Sequence, residues 1–180
     1  MRFVMQLPLP FGALTRKDDP LTPEDERLHD QHSRDVGVVG NHQDWPVLSL
    51  FDGRVLTAGL YQGYGFAVRV EGVCYVSKKA VLKARAPWPV NDPRLNLHGH
   101  WDTAPPEFTF AINVRCLYGH ANSLLVEQGE EVKLFQPLMG MGNTGQSQGN
   151  HLHCKLRLLD LPEPLCFVDP LPLFRWLTLP

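Results

Sequence analysis

Alternating apolar and polar residues, interrupted by turn residues, run through most of the chain from about residue 45 onward. Residues 46–50 and 54–57 flank Asp52-Gly53, a pair typical of tight turns, and they are predicted to form one β-hairpin. A side-chain period of two favours half-buried strands over helices. The pattern therefore predicts a protein built mainly from β-strands.

The same pattern places further strands along the chain. Residues 66–70 form the next predicted strand, and Glu71-Gly72 is predicted to turn it into residues 73–76. Later strands are predicted at residues 110–117, 131–134, 137–140 and 151–156. Because the sequence has neither an internal repeat nor a heptad run, we expect one antiparallel β domain.

Two segments depart from the strand pattern. The first 21 residues are predicted to be an extended lead-in whose prolines interrupt its apolar residues, so a secretory signal is not expected. Thr22 suits a helix N-cap and Pro23 the first helical position, which predicts a short helix to about Gln31 at the start of a domain spanning residues 22–180. Residues 77–109 contain five prolines and little periodicity, and they are predicted to be a long proline-rich insertion.

The composition narrows the class of protein. Hydrophobic residues make up 43% and charged residues 20% of the 180 positions, which is typical of a folded protein. A formal net charge of −2 predicts no binding of nucleic acid or of an anionic membrane surface. No apolar run approaches the roughly 20 residues of a membrane span. The four cysteines lack zinc-ribbon spacing, so buried thiols are expected, with one disulfide as the alternative outside a cell.

The strongest chemical signal is a glycine-rich loop that leads directly into His151-Leu152-His153 on a predicted strand. Side chains at i and i+2 leave the same face of a strand, roughly 6.5–7 Å apart. Two imidazoles on one face suit a metal site in which one is a ligand and the other faces the reacting group. A pair of surface or packing histidines is the alternative.

Three sequence patterns occur in order over residues 118–153: Y-x-H from Tyr118 to His120, V-x-x-G-x-x-V from Val126, and G-x-T-G-x-S-x-G-x-H-L-H up to His153. In this order they resemble the LytM/lysostaphin-type zinc peptidases, the M23 family. The resemblance extends over roughly residues 32–76 and 110–174. It implies a twisted antiparallel sheet with a groove that holds a Zn²⁺ ion.

The resemblance also implies roles for three histidines. His153 is the expected zinc ligand, whereas His120 and His151 are the expected catalytic pair that orients and deprotonates the attacking water and stabilises the developing oxyanion. A catalytic zinc keeps three protein ligands and one open position for water. A neutral imidazole near its own pKa is suited to moving a proton.

The other two ligands are expected from a family pattern H-x-x-x-D. Asp35 stands where the aspartate is expected, but the residue four positions earlier is Gln31. His32 is therefore the expected ligand, with His29 as its substitute. A spacing of three places two residues on one face of a helix but on opposite faces of a strand, so His32 requires a bulged, turned or helical backbone.

His98 and Asp102 keep the family spacing of four, but they lie inside the insertion and after the first strands. We interpret this segment as a solvated loop or as a lid beside the groove, with an exchange of metal ligands as the remaining alternative.

The expected function follows from the resemblance. It implies a zinc-dependent endopeptidase that hydrolyses peptide bonds in peptidoglycan stem peptides or cross-bridges, and that reaches the bacterial cell wall from a phage or by another export route. A catalytically inactive LytM-like wall-binding or activator module and a phage structural component are the alternatives. The irregular spacing of His32 and Asp35 favours the inactive module, whereas the three retained histidines favour the enzyme.

Overall fold

The computed structural model describes residues 13–14, 33–37, 43–77, 109–160 and 167–168, with side chains described for residues 43–75 and 111–160. Within these ranges the chain forms ten strands and no helix, and therefore no helix capable of crossing a membrane. The strands are β1 (Ala13–Leu14), β2 (Ser33–Gly37), β3 (Pro46–Leu48), β4 (Gly53–Tyr61), β5 (Gly65–Ser77), β6 (Thr109–Leu124), β7 (Glu131–Val132), β8 (Pro137–Met141), β9 (Leu152–Leu158) and β10 (Phe167–Val168).

These strands form one antiparallel sheet. Its main order is β1-β2-β9-β6-β5-β4-β7, while β10 also pairs with β9, and β8 pairs with both β6 and β3. Strand β6 is 16 residues long and pairs with β5, β9 and β8, so it joins most of the described structure. The predicted fold class, mainly β on an antiparallel sheet, is confirmed.

The core lies against one face of this sheet. Alternate residues of β6, namely Ile112, Val114, Cys116 and Tyr118, are at most 1% exposed, as the period of two requires. The buried Tyr118 hydroxyl accepts a hydrogen bond from the Leu50 amide at 3.1 Å, so its polar end has a partner.

The cysteines agree with the expectation of buried thiols in the described part of the chain. Cys74, Cys116 and Cys154 are buried thiols. Burial raises the pKa of the Cys74 thiol from 9.0 to about 12, because the thiolate would lose its hydration.

The hairpin predicted around Asp52-Gly53 is wrong, although both of its strands exist. Strand β3 pairs with β8, and β4 pairs with β5 and β7. The connecting segment binds a distant loop: the Ser49 amide donates to the Gln136 carbonyl at 2.9 Å, and the Asp52 carboxylate accepts from the Leu134 amide at 2.6 Å. These long-range bonds override the local turn signal.

The turn predicted at Glu71-Gly72 is also wrong, because β5 runs through both residues without a break. Gly72 lies opposite Gly53, and a Cβ atom at Gly72 would collide with the Asp52 carbonyl oxygen. The glycine therefore permits close approach of two backbones and does not mark a turn.

Several predictions lie outside the described residues. These are the lead-in apart from Ala13 and Leu14, the helix over residues 22–31, and residues 78–108 of the insertion with His98 and Asp102. They stay predictions.

Candidate active site

Strand β9 places His153 on the face of the sheet opposite the core. Its neighbours Leu152 and Cys154 are fully buried core residues, and alternation sends His153, 8% exposed, to the other face. Cys154 therefore points away from the histidines and into the core. His151 lies just before β9 and is held to Gly142 by an isolated β-bridge.

The register of β2 against β9 brings Asp35 next to His153. Asp35 is the direct antiparallel partner of His153. Directly opposed residues of an antiparallel pair share one face of a sheet. His32, the residue before β2, lies outside the described residues. The backbone thus juxtaposes two of the three expected metal ligands.

His120 reaches this face through a β-bulge. Its neighbour Gly119 pairs with His153, so strict alternation would send His120 toward the core. Between Tyr118 and Ala121, however, β6 advances three residues while its β5 partners advance two, and His120 has a φ of 64°. A bulge of this kind re-aims a side chain, and bulges are frequent next to active sites.

The three predicted histidines consequently come together. The ring centroid of His120 lies 4.7 Å from that of His151 and 5.7 Å from that of His153. Tyr64 joins the group from the β4–β5 turn, with its ring 5.1 Å from His153 and 6.4 Å from His120. The sequence signal that could have identified Tyr64 is its position between two glycines, Gly63 and Gly65.

The glycine-rich loop, residues 142–150, forms hydrogen bonds with the rings of His120 and His151. Nδ1 of His120 lies 2.7 Å from the Thr144 carbonyl oxygen, and Nδ1 of His151 lies 2.8 Å from the Gly149 carbonyl oxygen. The Ser147 hydroxyl is 3.2 Å from the same His151 nitrogen. The ring orientations therefore depend on the loop.

Two polar side chains of this loop make local bonds to its backbone: Asn143 and Ser147 each bind Gly149. The Thr144 hydroxyl differs: it donates to the Ala121 carbonyl of β6 at 2.7 Å and accepts from the Phe66 amide of β5 at 3.0 Å. Thr144 therefore joins the loop to two strands.

The donor set fits a zinc ion. Imidazole nitrogen and carboxylate oxygen are common zinc ligands, and a catalytic site needs three of them. Among the side chains that the structure describes, no three His, Cys, Asp or Glu residues form a metal-binding group. Of the expected ligands, only the side chain of His153 is among those described.

The antiparallel sheet of this chain has the fold of the catalytic domain of lysostaphin, a LytM/lysostaphin-type peptidase. Residues 110–162, which contain His120, His151 and His153, match the sequence model of Peptidase family M23. The resemblance to the M23 peptidases that the sequence patterns indicated is therefore confirmed, and the match supports a peptide-bond hydrolase. A search of curated proteins found no match.

Solved structures share the fold at low sequence identity. The catalytic domain of lysostaphin from Staphylococcus simulans is 18% identical, with a TM-score of 0.51 over 81% of this chain and 79% of that one. A zinc-containing peptidase from Vibrio cholerae is 20% identical, with a TM-score of 0.56 over 89% of this chain but only 38% of that one. A chain of the SpoIIIAH–SpoIIQ complex is 16% identical, with a TM-score of 0.56 over 93% of this chain and 96% of that one.

Proposed function

We propose that the chain is a zinc-dependent endopeptidase that hydrolyses peptide bonds in peptidoglycan stem peptides or cross-bridges at the bacterial cell wall. The observation that carries the proposal is the convergence of three histidines on one face of the sheet: the ring centroid of His120 lies 4.7 Å from that of His151 and 5.7 Å from that of His153. The positive φ of His120, 64°, at a β-bulge also supports a functional role for its ring, because strained residues cluster at active sites.

His32, Asp35 and His153 would hold the metal. When bound, a zinc ion would polarise the scissile carbonyl and make the attacking water more acidic. The register of β2 and β9 supports this assignment, because Asp35 and His153 are direct antiparallel partners.

His120 and His151 would move the protons. One imidazole accepts a proton from the attacking water as the new C–O bond forms, and the resulting imidazolium stabilises the oxyanion. The same proton then passes to the leaving amine as the C–N bond breaks. His120 is 4% exposed, whereas His151 is half-buried, so the pair combines a shielded ring with one open to substrate.

Zinc stoichiometry by elemental analysis, combined with digestion of purified peptidoglycan, tests this proposal. We expect about one zinc per chain in the wild type. The zinc and the release of new amino termini should both disappear in His153→Ala, Asp35→Ala and His32→Ala. His98→Ala is the matched control, because its histidine belongs to the insertion, and it should keep both. A wild type without zinc after reconstitution, or a His153→Ala variant that keeps its zinc, would overturn the proposal.

A wall-binding or structural module is the second candidate. It is favoured by the similar fold in the SpoIIIAH–SpoIIQ complex, where the matching chain assembles with another protein. The module would bind peptidoglycan without zinc and without releasing amino termini, so the same two measurements separate the candidates.

A further inference from the structure

The glycine-rich loop is interlocked with the β4–β5 turn. Gly65 and Gly145 both have positive φ values, 65° and 77°, and a Cβ atom on either would collide with the backbone of the other segment. The Gln146 amide also donates to the Gly63 carbonyl at 2.7 Å. These close backbone contacts fix the position of the loop against the turn.

Thr144 lies at the centre of this contact. Its hydroxyl binds the Ala121 carbonyl of β6 and the Phe66 amide of β5, which are the register pair at one end of the bulge that carries His120. Its carbonyl oxygen lies 2.7 Å from Nδ1 of His120. One residue thus fixes the bulged backbone and the imidazole ring that the bulge presents.

The chemistry of these contacts assigns the tautomers. A carbonyl oxygen can only accept a hydrogen bond, so Nδ1 of His120 must carry the proton that it shares with Thr144. The same reasoning places a proton on Nδ1 of His151, which faces the Gly149 carbonyl. In the neutral state the basic nitrogen of each ring is then Nε2.

We propose that Thr144 is a positioning residue that holds His120 in the Nδ1–H tautomer, with Nε2 as its basic atom. The proposal rests on the proposed function in that this nitrogen would accept the proton of the attacking water. It adds an order of events: neither neutral ring can donate a hydrogen bond from Nε2, so neither can stabilise the oxyanion before it has taken a proton.

Imidazole ¹⁵N–¹H correlation spectra of the metal-free protein at pH 8.5, where imidazoles are ordinarily neutral, test the proposal directly. The wild type should show Nδ1–H tautomers for His120 and His151. In Thr144→Val, which removes only the hydroxyl, His120 should shift to a mixture of tautomers while His151 keeps its own. Thr144→Ser should restore the wild-type His120 spectrum.

The rates give a second readout. In Thr144→Val we expect kcat on a wall peptide to fall about 10- to 100-fold, because the His120 ring is displaced. We expect KM to change less than about 3-fold, because substrate binding is unaffected. Thr144→Ser should recover most of kcat, and zinc content should be unchanged in both variants. Thr57→Val is the matched control, since Thr57 lies on β4 opposite Arg69, and β5 separates β4 from the β6 strand of His120.

Either of two results would overturn the positioning role of Thr144, whatever the kcat values. One is an Nε2–H tautomer at His120 in the wild type, and the other is an unchanged His120 tautomer in folded Thr144→Val. The spectra need neither metal nor substrate. If the wild type hydrolyses no wall peptide, the proposed function fails while the tautomers still decide the role of Thr144.

Discussion

The two halves of β6 have different geometry and different tasks. Residues 109–118 pair with β5 without interruption, and every second side chain from Ile112 to Tyr118 is buried in the core. Residues 119–124 contain two register shifts, one against β5 and one against β8, and a histidine with a φ of 64°. The regular half supplies stability through burial, whereas the irregular half presents a reactive ring on the opposite face.

The irregular half is destabilising in isolation. A non-glycine residue in the left-handed region costs about 1–2 kcal/mol. Two bonds offset this at His120: its amide donates to the Tyr64 carbonyl at 2.8 Å, and its Nδ1 binds the Thr144 carbonyl. Since a typical hydrogen bond contributes about 1 kcal/mol net, these contacts suffice to hold the ring in place.

The largest effect is expected on activity, in the irregular half. His120→Ala should lower kcat on a wall peptide by about 10²- to 10⁴-fold, because it removes a proton-transfer group. Steady-state kinetics with matched zinc content measure this. An activity within about threefold of the wild type would place the proton transfer elsewhere.

The largest effect on stability is expected in the regular half. Ile112 is 1% exposed and lies opposite Cys74 on β5. Ile112→Ala should lower the free energy of unfolding by about 2–5 kcal/mol through lost burial and the resulting cavity, and Ile112→Val by about 0.5–1.5 kcal/mol. Urea denaturation gives both values. The kcat of the folded fraction should not change, and a fall in kcat similar to that of His120→Ala would contradict the division of tasks.

Alkaline pH should lower the free energy of unfolding. Burial raises the pKa of Cys74 from 9.0 to about 12 and that of Tyr118 well above 10.0, so the folded state keeps protons that the unfolded state loses. Stability from Cys74 is therefore complete below pH 9 and falls as pH rises toward 12, by about 1.4 kcal/mol per pH unit. Urea denaturation between pH 8 and 10.5 should show a smaller slope in Cys74→Ala than in the wild type. Equal slopes would refute the assignment to this thiol.

The smallest expected effect compares two replacements of one residue. His120→Gly should be about 1 kcal/mol more stable than His120→Ala, because glycine adopts a positive φ without strain. Both variants lose the ring, and both should show the same fall in kcat. Thermal unfolding of the pair measures the strain directly. Equal stability would show that the backbone at this position is relaxed.

Local sequence patterns predicted the strands and the His151–His153 pair, since both follow from the period of two. They failed at Asp52-Gly53 and Glu71-Gly72, where contacts with distant residues decide the outcome. The bulge at His120 could not be predicted from local patterns for the same reason, because alternation alone sends this residue into the core. Its expected role came from the resemblance to a family, and the register of β6 supplies the physical account.

The contact of Gly65 with Gly145 has a consequence for when the site forms. Segments this far apart in the sequence meet only after the chain between them has been ordered, because closing a long loop costs conformational entropy. His120 obtains its hydrogen-bond partner from this contact. The complete histidine arrangement therefore belongs to the finished fold, and a partly folded chain would carry the same residues without an assembled site.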